Sequence, residues 1–222
     1  MPKIFATLSS LSSLPMPASH HAKAPRLILG STSAYRRELL QRLRIAFEVA
    51  APEVDETPHP QEAPRQLAER LALEKANNVA SRYPQAVVIG ADQVADLDGQ
   101  PLGKPGTHER AVAQLRQMRG QTVVFQTAVA VVCLASGFEQ TSLAAVRVTF
   151  RNLTDDEIEN YLQLEKPYDC AGSAKSEGLG IALLAAIDSD DPTALIGLPL
   201  IRTSQMIRAA GIALLASPEA TP

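Results

Sequence analysis

Ser31, Arg36, Lys75, Asp92 and Lys104 are the side chains whose types and settings suit chemistry on an anion. Gly30-Ser31-Thr32-Ser33 joins an apolar run to a helix start, where free backbone N–H groups and the positive end of the helix dipole suit a phosphate. Arg36 and Arg37 follow on the first turn. Neighbouring helical residues point about 100° apart, so only one arginine is expected to face the same cleft as the serines. Taken alone, this segment reads more simply as a helix cap with two solvated arginines. Asp92 is expected at the end of an apolar strand, where α/β sheets present groups to ligands, and a carboxylate there suits a divalent ion or a proton taken from water. Alone, it is equally a turn cap. Lys75 within a helix and Lys104 within the rigid turn Gly103-Lys104-Pro105 are each, taken singly, ordinary surface lysines. The loop lacks GxxxxGK[ST] and GxGxxG, so neither a P-loop nor a Rossmann dinucleotide site is supported. His20, His21, His59 and His108 show no ligand spacing.

The elements that must hold these residues follow from periodicity. Arg26–Gly30 and Ala86–Gly90 are apolar runs that predict buried strands, the second ending at Ala91-Asp92-Gln93. Ala34–Arg44, with Ser33 as N-cap, and Arg65–Arg82 have helical spacing. Between them, Ile45–Ala51 alternates as a strand does, and Pro52–Pro64 is an acidic, proline-rich loop containing Glu53, Asp55 and Glu56. Asp98-Gly99 predicts a hairpin turn. Thr107–Arg119 predicts a helix stopped by Gly120, and Thr122–Leu134 with Phe138–Phe150 predicts a long antiparallel hairpin around Ser136-Gly137. Thr154-Asp155-Asp156-Glu157 matches a capping box, so a helix is expected over Asp155–Glu165, with a last helix near Pro199. Helices alternating with hairpins imply a mixed rather than a purely parallel sheet.

Composition limits the classes of function. The chain has 222 residues, 45% of them apolar and 20% charged, which excludes a disordered chain. No run of eighteen apolar residues offers a membrane span. With 21 basic and 24 acidic residues, the net charge of −3 gives no reason to expect nucleic-acid polymers or an anionic membrane as partners. Any bound anion must meet a local cluster. Aromatic residues are 4% with no Trp, too few for a platform that stacks several bases. Cys133 and Cys170 lack disulfide or zinc spacing and are expected to be reduced and buried. Residues 1–25 and 216–222 are expected to be tails, flanking one domain over 26–215; the first tail lacks the basic and apolar pattern of a targeting segment.

Taken in order, Gly30-Ser-Thr-Ser-Ala-Tyr-Arg36, Glu38-Leu-Leu40, Glu53-Val-Asp-Glu56, Glu74-Lys75-Ala76, Ile89-Gly-Ala-Asp92, Gly103-Lys-Pro105, Cys170-Ala-Gly172 and Gly197-Leu-Pro199 resemble the spaced motifs of the Maf family of nucleotide pyrophosphatases. The resemblance runs from about Arg26 to Gly211. It implies a Maf/Ham1-like (ITPase-like) α/β fold, an elongated mixed sheet flanked by helices. It also implies hydrolysis of a nucleoside triphosphate to the monophosphate and pyrophosphate with a divalent cation, Mg or Mn. On the matching positions, Ser31, Arg36, Lys75 and Lys104 are expected to bind phosphate, Glu56 and Asp92 to bind the metal, and Asp92 to act as general base or chiefly as metal ligand. The family is usually described as cytoplasmic and often dimeric, so both are expected here on that ground alone.

Within the family, Ser-x-Tyr-Arg-Arg, Ala-Asp-Gln-Val and Ala-Gly-Ser-x-Lys-Ser-Glu-Gly look like the branch that hydrolyses 7-methyl-GTP, removing modified nucleotides from the pool. Tyr35, Gln93 and Glu177 are then the expected specificity residues. The dTTP/UTP branch carries Arg, Thr and Gln at these three positions. One departure from both branches is Thr127-Ala128, where Thr-Gly is common. Competing expectations are a dTTP/UTP pyrophosphatase, a nucleotide-binding regulator of cell division without turnover, and an RNA-cap-binding module.

Overall fold

The computed structural model describes residues 25–215. The expected tails, apart from Pro25, lie outside them. The chain alternates strands and helices: β1 (Leu27–Gly30), α1 (Ala34–Gln41), β2 (Glu48–Val49), α2 (Pro64–Arg82), β3 (Val87–Leu97), β4 (Gln100–Leu102), α3 (His108–Met118), β5 (Thr122–Cys133), β6 (Phe138–Phe150), α4 (Asp155–Glu165), β7 (Leu184–Asp188) and α5 (Leu200–Ala209). The seven strands form one mixed sheet in the order β2-β1-β3-β5-β6-β7, with β4 paired to β3. β1 runs parallel to β2 and β3, whereas β3, β5, β6 and β7 are joined antiparallel. This is the mixed α/β architecture that the resemblance implies.

Alternation along the strands divides the core. Leu27, Leu29, Ile89 and Ala91 pack with Leu39 and Leu40 of α1 and Met206 and Ile207 of α5. Ile28, Val88 and Val94 point the other way, against Leu71, Ala72, Ala76 and Val79 of α2. The far half of the sheet packs α3 and α4 through Phe125, Val146, Phe150, Leu115 and Leu162. α4 starts with the expected capping box: the Thr154 hydroxyl accepts from the Glu157 N–H, and the Glu157 carboxylate accepts from the Thr154 N–H. Asp98 and Gly99 both take positive φ, 50° and 81°, in the β3–β4 turn.

Three expectations change. α1 ends at Gln41 rather than Arg44, because the Arg42 and Leu43 N–H groups bond to Leu39 and Leu40 in tighter turns and Arg44 takes φ 54°. The strand expected over Ile45–Ala51 shrinks to Glu48–Val49, a segment that among the described residues pairs only with β1. The largest change concerns Asp92, which lies inside β3. β3 continues because β5 pairs with it from Val88 to Asp96, and β4 folds back on Ala95–Leu97.

Candidate functional site

The continuation of β3 creates the site. On one edge, β1 pairs with residues 87–90 and β4 pairs with residues 95–97. Between them, residues 91–94 have no strand partner on that edge among the described residues. Successive side chains of a strand point to opposite faces, so Asp92 lies on the α2 face and Gln93 on the other. At an open edge, one cleft can reach both. A cleft of about 880 Å³ wraps this gap, within the usual size for a small-molecule site, and its lining includes Ser31, Tyr35, Arg36, Glu56, Lys75, Asp92, Gln93, Lys104 and Glu177. All nine sequence-selected residues thus meet in one place.

On the α2 face, Lys75 and Asp92 are both buried, and Lys75 Nζ lies 2.6 Å from Asp92 Oδ1 and 2.6 Å from Glu56 Oε1. Gly90 permits this approach. A Cβ there would lie 2.2 Å from the Ala72 carbonyl oxygen and 2.5 Å from the Ala76 nitrogen, inside any tolerated contact. Asp92 Oδ2 has no hydrogen-bond donor among the described residues, and it is not sealed away from the cleft. Burial alone would raise the Glu56 carboxyl, but the hydrogen bond and charge of Lys75, with Lys104 and Arg36 beyond, hold it below the usual carboxylate range. The loop bearing Glu56 is tied to α2 by Arg70, which bonds Glu62 at 2.6 Å and 2.8 Å and the Thr57 carbonyl at 3.1 Å.

At the end of β1, Ser31 is buried and Arg36 points into the cleft, while Arg37 is exposed. The guanidinium of Arg36 donates to the Gly197 carbonyl at 2.9 Å and reaches the Ser31 hydroxyl at 3.5 Å. Burial lowers its pKa, an effect that the charges of Asp92 and Glu56 oppose. Two of the amides at the start of α1 are already used locally: Ser33 N–H bonds to the Ser31 hydroxyl and Arg36 N–H to the Ser33 hydroxyl. Lys104 stands exposed in the turn after β4.

The remaining part of the cleft combines α1 with the irregular segment that follows α4. Tyr35, half-buried on α1, has the Lys175 ammonium 5.8 Å from its ring centroid and the Cys170 thiol 4.0 Å from its hydroxyl. Lys175 is held in turn by Glu165 at 2.8 Å. Burial, then Cys170 and Asp169, raise the Tyr35 phenol, which stays neutral. Burial and the adjacent Asp169 push the Cys170 thiol up to about 12, so it is no nucleophile at neutral pH. Cys170 is half-buried, not buried as expected, because it sits in the cleft wall; both cysteines are free. Glu177 is exposed with no hydrogen-bond partner among the described residues.

Several contributors were given no role by the sequence reading, although Lys175 and Gly197 lie in its motifs. Thr127, Lys175, Glu165 and the carbonyls of Ala194, Leu195 and Gly197 hold or flank the cleft side chains. Backbone carbonyls leave no residue-type signal. Thr127 was visible only as the residue next to a departure from the family pattern.

A model of Maf-like proteins matches residues 26–210. The chain belongs to the Maf family. Similar proteins from Polaromonas sp. (strain JS666) and Albidiferax ferrireducens are 81% and 70% identical over 190 residues, covering 86% of this chain and 87% and 96% of theirs. One from Cupriavidus pinatubonensis is 58% identical over 187 residues, 84% of this chain and 94% of its own. All three are named 7-methyl-GTP pyrophosphatase. A solved HAM1 protein from Coxiella burnetii aligns with 58% of this Maf protein and 74% of its own chain, at 14% identity and a TM-score of 0.42, too loosely to add to the family assignment.

Proposed function

We propose that this Maf protein is a hydrolase that converts 7-methyl-GTP to 7-methyl-GMP and pyrophosphate, clearing a modified nucleotide from the pool. The observation that carries this reading is a single cleft with a cationic end beside Asp92 and an aromatic, acidic end at Tyr35 and Glu177. A triphosphate brings about four negative charges, which Arg36, Lys75 and Lys104 offset through charge-assisted hydrogen bonds. The free Oδ2 of Asp92 takes a proton from water as that water's oxygen attacks the α-phosphorus. The bond between the α-phosphorus and its bridging oxygen breaks, and pyrophosphate leaves. Lys75 holds Asp92 in place through Oδ1.

Among the described residues, no group of three or more His, Cys, Asp or Glu side chains is clustered to hold a metal ion. Glu56, with Oε1 on Lys75, nevertheless fits Mg or Mn once a triphosphate is present, and Asp92 would join it only if Oδ2 served as metal ligand instead of proton acceptor, since magnesium is characteristically held by one or two carboxylates together with phosphate oxygens and water. A bound cation would neutralise charge on the phosphates.

At the other end, methylation at N7 makes guanine cationic. The face of Tyr35 attracts a cationic ring by about 0.5–2 kcal/mol. Glu177, exposed in the cleft lining, offsets the remaining charge while accepting from guanine N–H groups. Lys175 shares Tyr35, but Glu165 neutralises it. Pyrophosphate release across ordinary and methylated triphosphates tests the proposal: 7-methyl-GTP is expected to lead, and a preference for dTTP or UTP, or tight binding without release, would overturn it. The cytoplasm and a homodimer remain proposals of the family resemblance, checked by fractionation and by solution mass.

A further inference from the structure

Gln93 is held with one polarity. Its amide nitrogen lies 2.9 Å from Thr127 Oγ1, 2.9 Å from the Ala194 carbonyl oxygen and 3.0 Å from the Leu195 carbonyl oxygen. An amide NH2 has two protons to give, and three acceptors surround it. Turning the amide over would set Oε1 against two carbonyl oxygens that have no proton to offer. Thr127 closes the arrangement. It is fully buried on β5, directly opposite Gln93 in the strand register, and it spends its hydroxyl proton on the Ala194 carbonyl at 3.0 Å. Its oxygen can therefore only accept from Gln93.

The segment that supplies the two carbonyls is itself anchored. Buried Asp191 accepts from the Ile201 and Arg202 N–H groups at the start of α5, at 3.3 Å and 3.0 Å. The Thr193 hydroxyl donates to the Leu198 carbonyl at 2.8 Å and accepts from Leu200 N–H at 2.8 Å. What Gln93 leaves for a ligand is Oε1. That oxygen has no donor among the described residues, is not closed off from solvent, and belongs to a residue of the cleft lining.

We infer that Gln93 reads the bound nucleotide as a hydrogen-bond acceptor only, its polarity set by the Ala194 and Leu195 carbonyls with Thr127 as a positioning residue. The inference rests on the nucleotide reading above and deepens it. A ligand is selected when it directs an N–H or O–H at Oε1, and refused when it presents a lone pair there, because a site built around one hydrogen bond strongly rejects analogues that cannot make it. Two parts of a guanine nucleotide carry such protons, the N1–H and 2-amino edge of the base and the hydroxyls of the ribose. An adenine-type N1 lone pair or a methylated hydroxyl would meet Oε1 unfavourably.

The test is a coupling experiment on the full chain. Values of kcat/KM are measured for 7-methyl-GTP and for versions with the 2-amino group, the 2′-hydroxyl or the 3′-hydroxyl removed, or with N1–H methylated, using wild type and Gln93→Met. One change is expected to cost wild type tenfold or more and Gln93→Met little, which also distinguishes base from ribose. Thr127→Val should weaken that coupling, and Thr127→Ser should restore it. Equal losses in wild type and Gln93→Met for every analogue would overturn the inference. Gln93→Leu gives an independent readout should Gln93→Met fail to fold: the coupling should vanish in it as well, and a coupling that persists would count against the inference. If wild type turns over a different triphosphate, the 7-methyl-GTP reading fails and the same cycle is run on that substrate's analogues. If nothing is turned over, calorimetric binding of the same nucleotides replaces kcat/KM.

Discussion

The two faces of β3 solve the same problem with different materials. On the α2 face, Asp92 is positioned by regular elements packed as closely as backbones allow, with Gly90 against Ala72 and Ala76 and a buried lysine bridging two carboxylates. On the opposite face, Gln93 is positioned by the carbonyls of an irregular segment, and Glu177, which lines the same cleft, stands on an exposed turn. The charged end therefore depends on helix-to-sheet packing, whereas the reading end depends on loop backbone. Substitution should cost most on the α2 face, and changes on the other face should alter choice of nucleotide more than rate.

The largest effect is expected at Asp92. Asp92→Asn keeps size and fold but removes the proton acceptor, and turnover should fall by about 10² to 10⁴, the usual range for a positioned general base. Pyrophosphate release at saturating nucleotide, with melting followed in parallel, checks this; near-normal turnover with unchanged metal dependence would remove Asp92 from its role. Gly90→Ala should come next, because the added methyl meets backbone atoms that cannot swing aside. Overpacking of this kind typically costs about 1–3 kcal/mol. The melting temperature should drop by several degrees, roughly 2–4 °C per kcal/mol at this size. Turnover should fall with it, since α2 carries Lys75 away from Asp92. A Gly90→Ala protein that melts like wild type would show slack between α2 and β3 and would break the comparison.

That contrast also explains what could be read from the residues beforehand. The long periodic elements were legible: α2, α3, α4 and the β5–β6 hairpin lie within a residue or two of their expected bounds, because capping boxes, N-caps and glycine stops act locally. The nine candidate side chains were legible as types, mostly through the spacing of the family motifs. What was hidden depends on pairing over long distances. Asp92 was expected at a strand end, since an apolar run stopping at Gly90 says nothing about β5 extending its ladder to Asp96. The 3-10 turn at residues 194–196 and the exposed β7 carry no strong periodicity, so the carbonyls that orient Gln93 could not be named.

On the reading end, a smaller and selective effect is expected. Glu177→Gln keeps the side chain's size while removing its charge, and it should lower kcat/KM for 7-methyl-GTP by about tenfold, the worth of one charge-assisted hydrogen bond. Hydrolysis of GTP, which offers the same N–H groups but an uncharged base, should fall less. An equal loss on both nucleotides would mean that Glu177 supports the loop instead of sensing the base.

The smallest effect sharpens the comparison from the other side, because Glu56, like Lys104 at the same end, is carried by a loop. Glu56 reaches Lys75 only through the segment between β2 and α2, and the Glu62–Arg70 pair ties that segment down. The hydrogen bond from Arg70 outweighs burial, and with the His59 N–H it holds the Glu62 carboxyl at about 2, against 4.5 for a free one. A depressed carboxylate stabilises the fold fully above its unfolded value. The contribution is lost as pH falls from about 4.5 towards about 2. Glu62→Gln should therefore melt below wild type at neutral pH, with the gap closing below pH 4.5 as wild type loses its own advantage. Turnover should fall by no more than about fivefold, because Glu62 acts on the site only by holding the loop that bears Glu56. A difference in melting that stays constant from pH 7 down to pH 3 would show that Glu62 acts through packing, and that the loop holding Glu56 is as rigidly built as the α2 face it meets.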